Sequence, residues 1–219
     1  MRRRPVLAAA LAAAVLLGPW SHAAEPAPQV TDPESDANYL NDNAPVSSPL
    51  FPDNPANNNP TPVGSNAGAD ITSIIYTSTT VKGVVKGFTV RMTLKAEPTK
   101  EAMLFRATGN TAECSTLWFQ YYTVDPKNTP QASLRHTCDG TQVVPIPVNV
   151  AGNTITWNFE FSNANMPKAV RKGSEIVKLG GHSRPFVVNP ACADVTKCTT
   201  NPLQADTTNN FAGPYKVGS

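Results

Sequence analysis

The sequence lacks the short motifs that identify most hydrolases, metalloproteases and nucleotide-binding enzymes. No G-x-S-x-G, H-E-x-x-H or glycine-rich phosphate-binding loop occurs in it. Only His136 and His182 remain once the N-terminal leader is set aside, and neither lies in a Ser or Cys nucleophile motif. His136 shares its predicted strand face with apolar neighbours, so we expect a packed residue there. We predict no catalytic residues and no enzymatic activity.

A secreted hydrolase is the catalytic alternative that stays open. Glycoside hydrolysis needs only two carboxylates facing each other across a cleft. Glu101, Glu113, Glu160 and Glu175 could supply them, but each occupies a position where the pattern places an outward strand residue or a turn residue. A binding or structural role therefore fits the pattern better.

The mature chain also lacks an excess of positive charge. The formal net charge is +2, but Arg2, Arg3 and Arg4 lie in the expected leader, and without them fifteen basic residues face sixteen acidic ones. No basic stripe is left to attract nucleic acid. The apolar run over residues 6–18 is shorter than the roughly 20 residues of a membrane-spanning helix. We expect neither nucleic-acid binding nor a membrane span.

The N-terminus has instead the three parts of a secretory signal peptide. A basic start is followed by an apolar run rich in Ala and Leu, and Ser21-His22-Ala23 then supplies the small residues of a cleavage site. We expect residues 1–24 to be a signal peptide and the protein to be secreted. The adjacent arginines also allow a twin-arginine route, but the rest of that motif is absent, which favours the general secretory route.

Residues 25–69 have the composition of an extended, irregular arm. They are rich in Pro and Asn and show no apolar period of either kind. Such a segment cannot offset the entropy of ordering unless the folded domain gives it a place to dock. Its candidate anchors are Tyr39, Leu40, Leu50 and Phe51.

Residues 70–219 are typical of an all-β domain. Across the whole chain helix-forming residues are scarce, there are 21 prolines, and Thr, Val and Asn are frequent. Phe88–Lys95 and Asn153–Phe161 alternate apolar and polar residues, as half-buried strands do. Pro145 and Pro147 place the strand over 143–150 at a sheet edge. We predict an antiparallel, jelly-roll-like β-sandwich.

One short connector helix is predicted after the strand that ends at Phe161. Asn165 can cap it, Pro167 lies near its first turn, and Gly173 can end it. Its basic residues, over 168–172, suit the C-terminal end of a helix.

The densest aromatic cluster lies between Cys114 and Cys138. A turn cluster over 125–130 separates two strand-like runs, Leu117–Val124 and Gln131–Thr137, which predicts an antiparallel hairpin. If the two cysteines oppose each other, Trp118 opposes Leu134 on one face. Leu117, Phe119 and Tyr121 then share the other face with Ser133 and Arg135.

The four cysteines are predicted to form two structural disulfides. The hairpin register favours Cys114 with Cys138, which leaves Cys192 and Cys198 to staple a short loop near the C-terminus. Zinc binding is not expected, because the C-x-x-C or Cys/His spacing of zinc sites is absent.

The hairpin has aromatic residues on both faces, whereas a sandwich buries only one face of each sheet. Phe119, Tyr121 and Arg135 are therefore our candidate ligand-binding residues, since aromatic rings stack on the apolar faces of sugars. This favours a non-catalytic module that binds a glycan or another envelope component. The alternative is a structural or protein-interaction domain in which the arm covers the aromatic face.

The arm also resembles part of a known group of modules. T-D-P-E-S-D-A at residues 31–37 and A-D-I at residues 69–71 resemble the D-P-x-G-D opening and the later strand start of secreted bacterial β-sandwich modules, including actinobacterial ones. These modules are related to glucodextranase C-terminal domains, DOMON domains and family 9 carbohydrate-binding modules. The resemblance implies a non-catalytic sandwich.

Some members of that group hold calcium near these aspartates. The resemblance thus implies Asp32, Asp36 and Asp70 as candidate ligands, although Ser35 replaces the usual glycine. Carboxylate oxygens are the hard ligands that calcium takes. The other interpretation is that Asp32 and Asp36 cap turns in the arm.

Overall fold

Alternating apolar residues form β-strands through most of the described chain. The computed structural model describes residues 26–32, 38–41, 61–65, 67–100, 103–125, 130–185, 203–208 and 211–219. The predicted signal peptide and the Cys192–Cys198 pair lie outside these residues. The strands are β1 (Val30–Thr31), β2 (Asn38–Asn41), β3 (Thr61–Ser65), β4 (Ile71–Val81), β5 (Val84–Leu94), β6 (Met103–Asn110), β7 (Leu117–Tyr122), β8 (Ala132–His136), β9 (Gln142–Pro145), β10 (Val148–Ala151), β11 (Thr154–Glu160), β12 (Glu175–Pro185), β13 (Leu203–Thr207) and β14 (Tyr215–Lys216).

The strands form two antiparallel sheets. The first has the order β1-β4-β5-β11-β10, and the second has the order β3-β2-β13-β12-β6-β7-β8-β9, with β14 paired to β12. The predicted all-β antiparallel sandwich is confirmed. No helix in the described ranges is long and apolar enough to cross a membrane.

Aromatic rings from both sheets fill the space between them. Phe88 in the first sheet stacks on Phe159 at 4.6 Å and meets Phe119 of the second sheet edge-on at 5.9 Å. The buried indole of Trp157 donates a 3.0 Å hydrogen bond to the backbone oxygen of Gln120 in the opposite sheet. The alternation predicted for 88–95 is confirmed, because every apolar position from Phe88 to Leu94 is fully buried. The alternation predicted for 153–161 is confirmed by the burial of Ile155, Trp157 and Phe159. These contacts fix the two sheets face to face.

The proline-containing strand over 143–150 is split in two and connects the sheets. Its first half, β9, is the last strand of the second sheet, and its second half, β10, is the last strand of the first sheet. Each half is a sheet edge, as the prolines predicted. Val144 and Ile146 are buried and face the core.

The predicted connector helix is wrong. Residues 161–174 form separate turns instead, closed by bonds from the Met166 N–H to the Asn163 oxygen and from the Val170 N–H to the Pro167 oxygen. Pro167 has no N–H with which to continue a helical ladder. Met166 and Val170 are buried, so these turns are held by the core rather than by helical hydrogen bonds.

The described parts of the arm pair with the sheets. Val30 is buried, and β1 extends the first sheet beside β4. The Gln29 side chain bonds both backbone groups of Tyr76. Further along, β2 and β3 extend the second sheet through β13. The arm is thus less irregular than predicted. Leu50 and Phe51 lie outside the described residues, as do the side chains of Tyr39 and Leu40.

The predicted bridge between Cys114 and Cys138 is present. The two residues are 24 positions apart in the sequence, and Cys114 is fully buried. A bridge across such a segment restricts the unfolded chain and stabilises the fold by about 3 kcal/mol.

We expect the Cys114→Ala/Cys138→Ala variant to lose about 3 kcal/mol of unfolding free energy in chemical denaturation. Peptide mapping of the oxidised wild-type protein should recover the Cys114–Cys138 peptide. A variant as stable as the oxidised wild type would show that the bridge does not restrict the unfolded state.

Candidate functional site

The pairing of β7 with β8 decides which side chains reach the solvent side of the second sheet. The predicted hairpin is confirmed, but its predicted register is wrong by one residue. Trp118 pairs with Arg135, and Phe119 pairs with Leu134. The disulfide lies outside the ladder, because β7 begins three residues after Cys114 and β8 ends two residues before Cys138. The bridge therefore does not impose its own alignment on the strands.

The side of β7 that was predicted to bind a ligand instead faces the core. Phe119 is fully buried in the core, where its ring also meets that of Tyr76 edge-on at 6.3 Å. Tyr121 is half-buried and packs against the same core. Phe119 and Tyr121 lie on the core side of β7, whereas Arg135 lies on the opposite side of the sheet. The structure therefore does not bring the three predicted ligand-binding residues together.

The opposite side of β7 and its neighbours carries a polar surface centred on a tryptophan, which we call the Trp118 face. Its members alternate with core residues along β6, β7, β8 and β12, and cross-strand pairing places them side by side. They are Leu104, Arg106, Thr108, Trp118, Gln120, Tyr122, Ser133, Arg135, His182 and Arg184. The sequence analysis did not include Arg106 or Trp118 among the candidate ligand-binding residues. The signal for Arg106 is the alternation along β6, because Met103 and Phe105 are buried in the core and Arg106 therefore points to the other side.

Two arginines contact the ring of Trp118. The guanidinium carbon of Arg106 lies 4.1 Å from the ring centroid, and that of Arg135 lies 5.3 Å from it. Both distances are within the range of a cation–π interaction. Because Arg106 and Arg135 lie on strands on either side of β7, these contacts hold the Trp118 ring in place between two cations.

The Trp118 face is buried at its centre and open along one side. Gln120 and Ser133 are buried beside Arg106, which is only 3% exposed. Trp118 and Arg135 are half-buried, and Val143, the next outward residue along the same row, is 43% exposed. A ligand can therefore reach this face from the Trp118 and Arg135 side.

Several buried polar atoms on the Trp118 face have no hydrogen-bond partner in the structure. They are Nε and Nη1 of Arg106, Oγ1 of Thr108 and Oγ of Ser133. Buried polar groups are usually paired, so such a concentration on one face points to a missing partner. Thr108 lies two residues from Arg106 on the same face of β6, and Ser133 lies two strands away from Arg106, beyond Gln120.

Burial and mutual repulsion act on the cationic groups of this face. Burial lowers the pKa of Arg106 below its usual value, and the charge of Arg184 lowers it further. Burial likewise lowers the pKa of His182 well below 6.5, and Arg106 and Arg184 add to that shift. His182 is therefore neutral near pH 7.

Apart from the Trp118 face, a cleft lies at the β8–β9 end of the sandwich. It is a half-open cleft of about 690 Å³, lined by His136, Asp139, Gln142 and the turns around Met166. His136 is buried, which confirms its prediction as a packed residue, and neither of its ring nitrogens has a hydrogen-bond partner. Burial lowers the pKa of His136, while Asp139 acts in the opposite direction.

The predicted calcium ligands are only partly described. Asp32 and Asp70 are buried, as is Asp206, whose carboxylate accepts a hydrogen bond from the backbone N–H of Ile71. Asp36 lies outside the described residues. Among the residues that the structure describes, no group of three or more His, Cys, Asp or Glu side chains is arranged to hold a metal ion. The calcium site stays a prediction.

Comparison of the chain with protein-family models, with curated proteins and with solved structures found no match. The resemblance to glucodextranase C-terminal, DOMON and family 9 carbohydrate-binding modules accordingly stays a prediction.

Substitutions on the two sides of β7 should lower the free energy of unfolding by different amounts. We expect Phe119→Ala to lower the free energy of unfolding by about 3–5 kcal/mol, because it leaves a cavity in the core. Trp118→Ala should cost about 1–2 kcal/mol, because it removes two cation–π contacts from a half-buried site. Equal losses in urea denaturation would contradict the observed register.

Stability should fall on acidification because His182 is buried in its neutral form. Below pH 6.5 the unfolded state binds a proton that the folded state does not, so the free energy of unfolding decreases as the pH falls. One such histidine contributes at most about 1.4 kcal/mol per pH unit.

His182→Gln should therefore lose less stability than the wild type between pH 7 and pH 5 in chemical denaturation. His136→Gln is the matched comparison, because burial also lowers the pKa of that histidine, which lies on the core side. Parallel stability profiles for His182→Gln and the wild type would exclude this contribution.

Proposed function

We propose that this protein is a secreted, non-catalytic β-sandwich module that binds a glycan or another cell-envelope component. The proposed binding surface is the Trp118 face. Arg135 keeps the role predicted from the sequence, and Trp118 replaces Phe119 and Tyr121 as the aromatic contact. The signal peptide predicted at residues 1–24 supports the secreted location.

The observation that carries the proposal is the placement of Trp118 between two arginines at the open side of the face. A fixed aromatic side chain can contact the apolar face of a sugar without losing much conformational freedom. Arg135 lies beside it, half-buried, and its guanidinium can donate hydrogen bonds to sugar hydroxyls. An aromatic surface with adjacent donors suits a carbohydrate.

The composition of the Trp118 face supports binding without catalysis. None of the described residues that the strand register places on this face is Asp or Glu. Hydrolysis of a glycosidic bond commonly uses two carboxyl groups, one on each side of the bond. A sugar bound here would lie beside arginines, a histidine and hydroxyl groups.

A structural or protein-interaction domain is the second candidate function. Leu104 is fully buried and Tyr122 is nearly so, although both lie on the outer side of the sheet and away from the core cluster. This burial favours a covered surface at their end of the Trp118 face. In that case the face contacts protein, either the arm of this chain or a partner, and polysaccharides do not bind.

Affinity electrophoresis against a panel of soluble polysaccharides tests the proposal. We expect at least one polysaccharide to retard the wild-type protein. Trp118→Ala/Arg135→Ala should weaken that binding at least about tenfold, since an aromatic contact and a charged donor are each worth about 1–2 kcal/mol. Arg171→Gln is the matched control, because Arg171 is exposed in the turns before β12 and should leave binding unchanged.

Circular dichroism should show that all variants are folded before their binding is compared. The absence of binding to every polysaccharide would favour the structural alternative. Retained binding in the double variant would exclude the Trp118 face, and release of reducing sugar by the wild type would contradict a non-catalytic module.

A further inference from the structure

The buried polar atoms of the Trp118 face are mostly hydrogen-bond donors. An arginine side chain donates and never accepts, and the hydroxyl groups of Thr108 and Ser133 can also donate. Nε and Nη1 of Arg106 and both hydroxyl oxygens have no hydrogen-bond partner. A ligand that satisfies these groups together must bring several acceptor oxygens.

Among the described residues that the strand register places on this face, none carries a negative charge. Arg106, Arg135 and Arg184 lie on it, and the positive charges of Arg184 and Arg135 both disfavour the charged form of Arg106. Taking an arginine out of water without a counter-ion is costly, and buried charges are normally paired. Water can satisfy the donors, but it cannot balance the charge. The missing partner is therefore expected to be an anion.

The stacking of Arg106 on Trp118 does not use the hydrogen-bonding edge of the guanidinium. Arg106 is held over the ring of Trp118 at 4.1 Å, so the ring occupies one face of the guanidinium. The N–H groups of a guanidinium lie in its plane, where they can bind a carboxylate or phosphate through two parallel hydrogen bonds. Arg135, on the opposite side of the ring, can steer an anion inward from the open side of the face.

We propose that the Trp118 face binds an oxyanion carried by a saccharide, with Arg106 as its principal partner and Arg135 at the entrance. The oxyanion is a carboxylate or a phosphate. This inference rests on the proposed function, because it specifies the class of glycan, and it assigns to Arg106 a ligand-binding role. The sugar ring contacts Trp118 and Arg135 at the open side while the anionic group reaches Arg106.

The test compares saccharides that differ only in charge. Polygalacturonate is matched by its methyl ester, and a phosphate-bearing mannan is matched by neutral mannan. We expect the wild type to bind at least one charged member at least about tenfold more tightly than its neutral counterpart in affinity electrophoresis. Raising the salt from 50 to 300 mM should weaken the binding, because exposed charges are screened. The pair that shows the difference identifies the anionic group.

Arg106→Gln should abolish the preference for the charged saccharide and weaken its binding about ten- to a hundredfold. Arg135→Gln should weaken it to a smaller extent, and it provides a second variant if Arg106→Gln does not fold. Arg171→Gln should keep the full preference. Equal binding of charged and neutral saccharides would overturn the oxyanion inference and leave the glycan-binding function standing.

Binding of small anions tests whether the oxyanion site exists independently of glycan binding. If no polysaccharide binds, but inorganic phosphate or free galacturonate raises the melting temperature of the wild type and not of Arg106→Gln, the oxyanion site stands and the glycan function fails. If neither polysaccharides nor small anions bind, both proposals fail.

Stability without ligand distinguishes a binding role from a structural one. If Arg106 is held for a ligand, Arg106→Met should be at least as stable as the wild type, because it removes an uncompensated buried charge. A large loss of stability in Arg106→Met, together with no anion binding, would assign Arg106 to the fold and overturn the inference.

Discussion

The packing of Phe119 between the two sheets is the constraint on which the rest of the structure depends. Its ring meets Phe88 and Tyr76 of the opposite sheet edge-on, and it is fully buried. Successive residues of a strand point to opposite sides, so burial of Phe119 sends Trp118 outward. A shift of one residue would expose Phe119 and place Trp118 in the core, which makes the register of this strand strongly specified.

The outward position of Trp118 determines the chemistry of the second sheet's other side. The strand partners of β7 bring Arg106 from β6 and Arg135 from β8 to the same ring. His182 lies next to Arg106 on β12 and stays neutral because burial and two arginines lower its pKa. A sandwich core needs no such charges. Their concentration on one face is the basis of the proposed binding surface.

Much of the fold could be predicted from the pattern of apolar residues. The alternation over 88–95 and 153–161 identified two central strands, and Pro145 and Pro147 identified an edge. The prediction of a helix after Phe161 was wrong, because capping residues and positive charge also suit a series of turns. The burial of Met166 and Val170 holds the chain in these turns. The candidate site could not be predicted in full, because aligning the hairpin on its cysteines placed Phe119 and Tyr121, and not Trp118, on the same face as Arg135.

The sequence by itself determined the strand-rich class of the domain, the edge position of the proline-containing segment and the pairing of Cys114 with Cys138. These properties depend on local preferences and on residues close in the chain. Only the tertiary structure decided that Phe119 belongs to the core and that Trp118, Arg106 and Arg135 meet on the outer side. That choice comes from fitting one aromatic ring between two sheets, and its contacts are with residues 31 and 43 positions away, Phe88 and Tyr76.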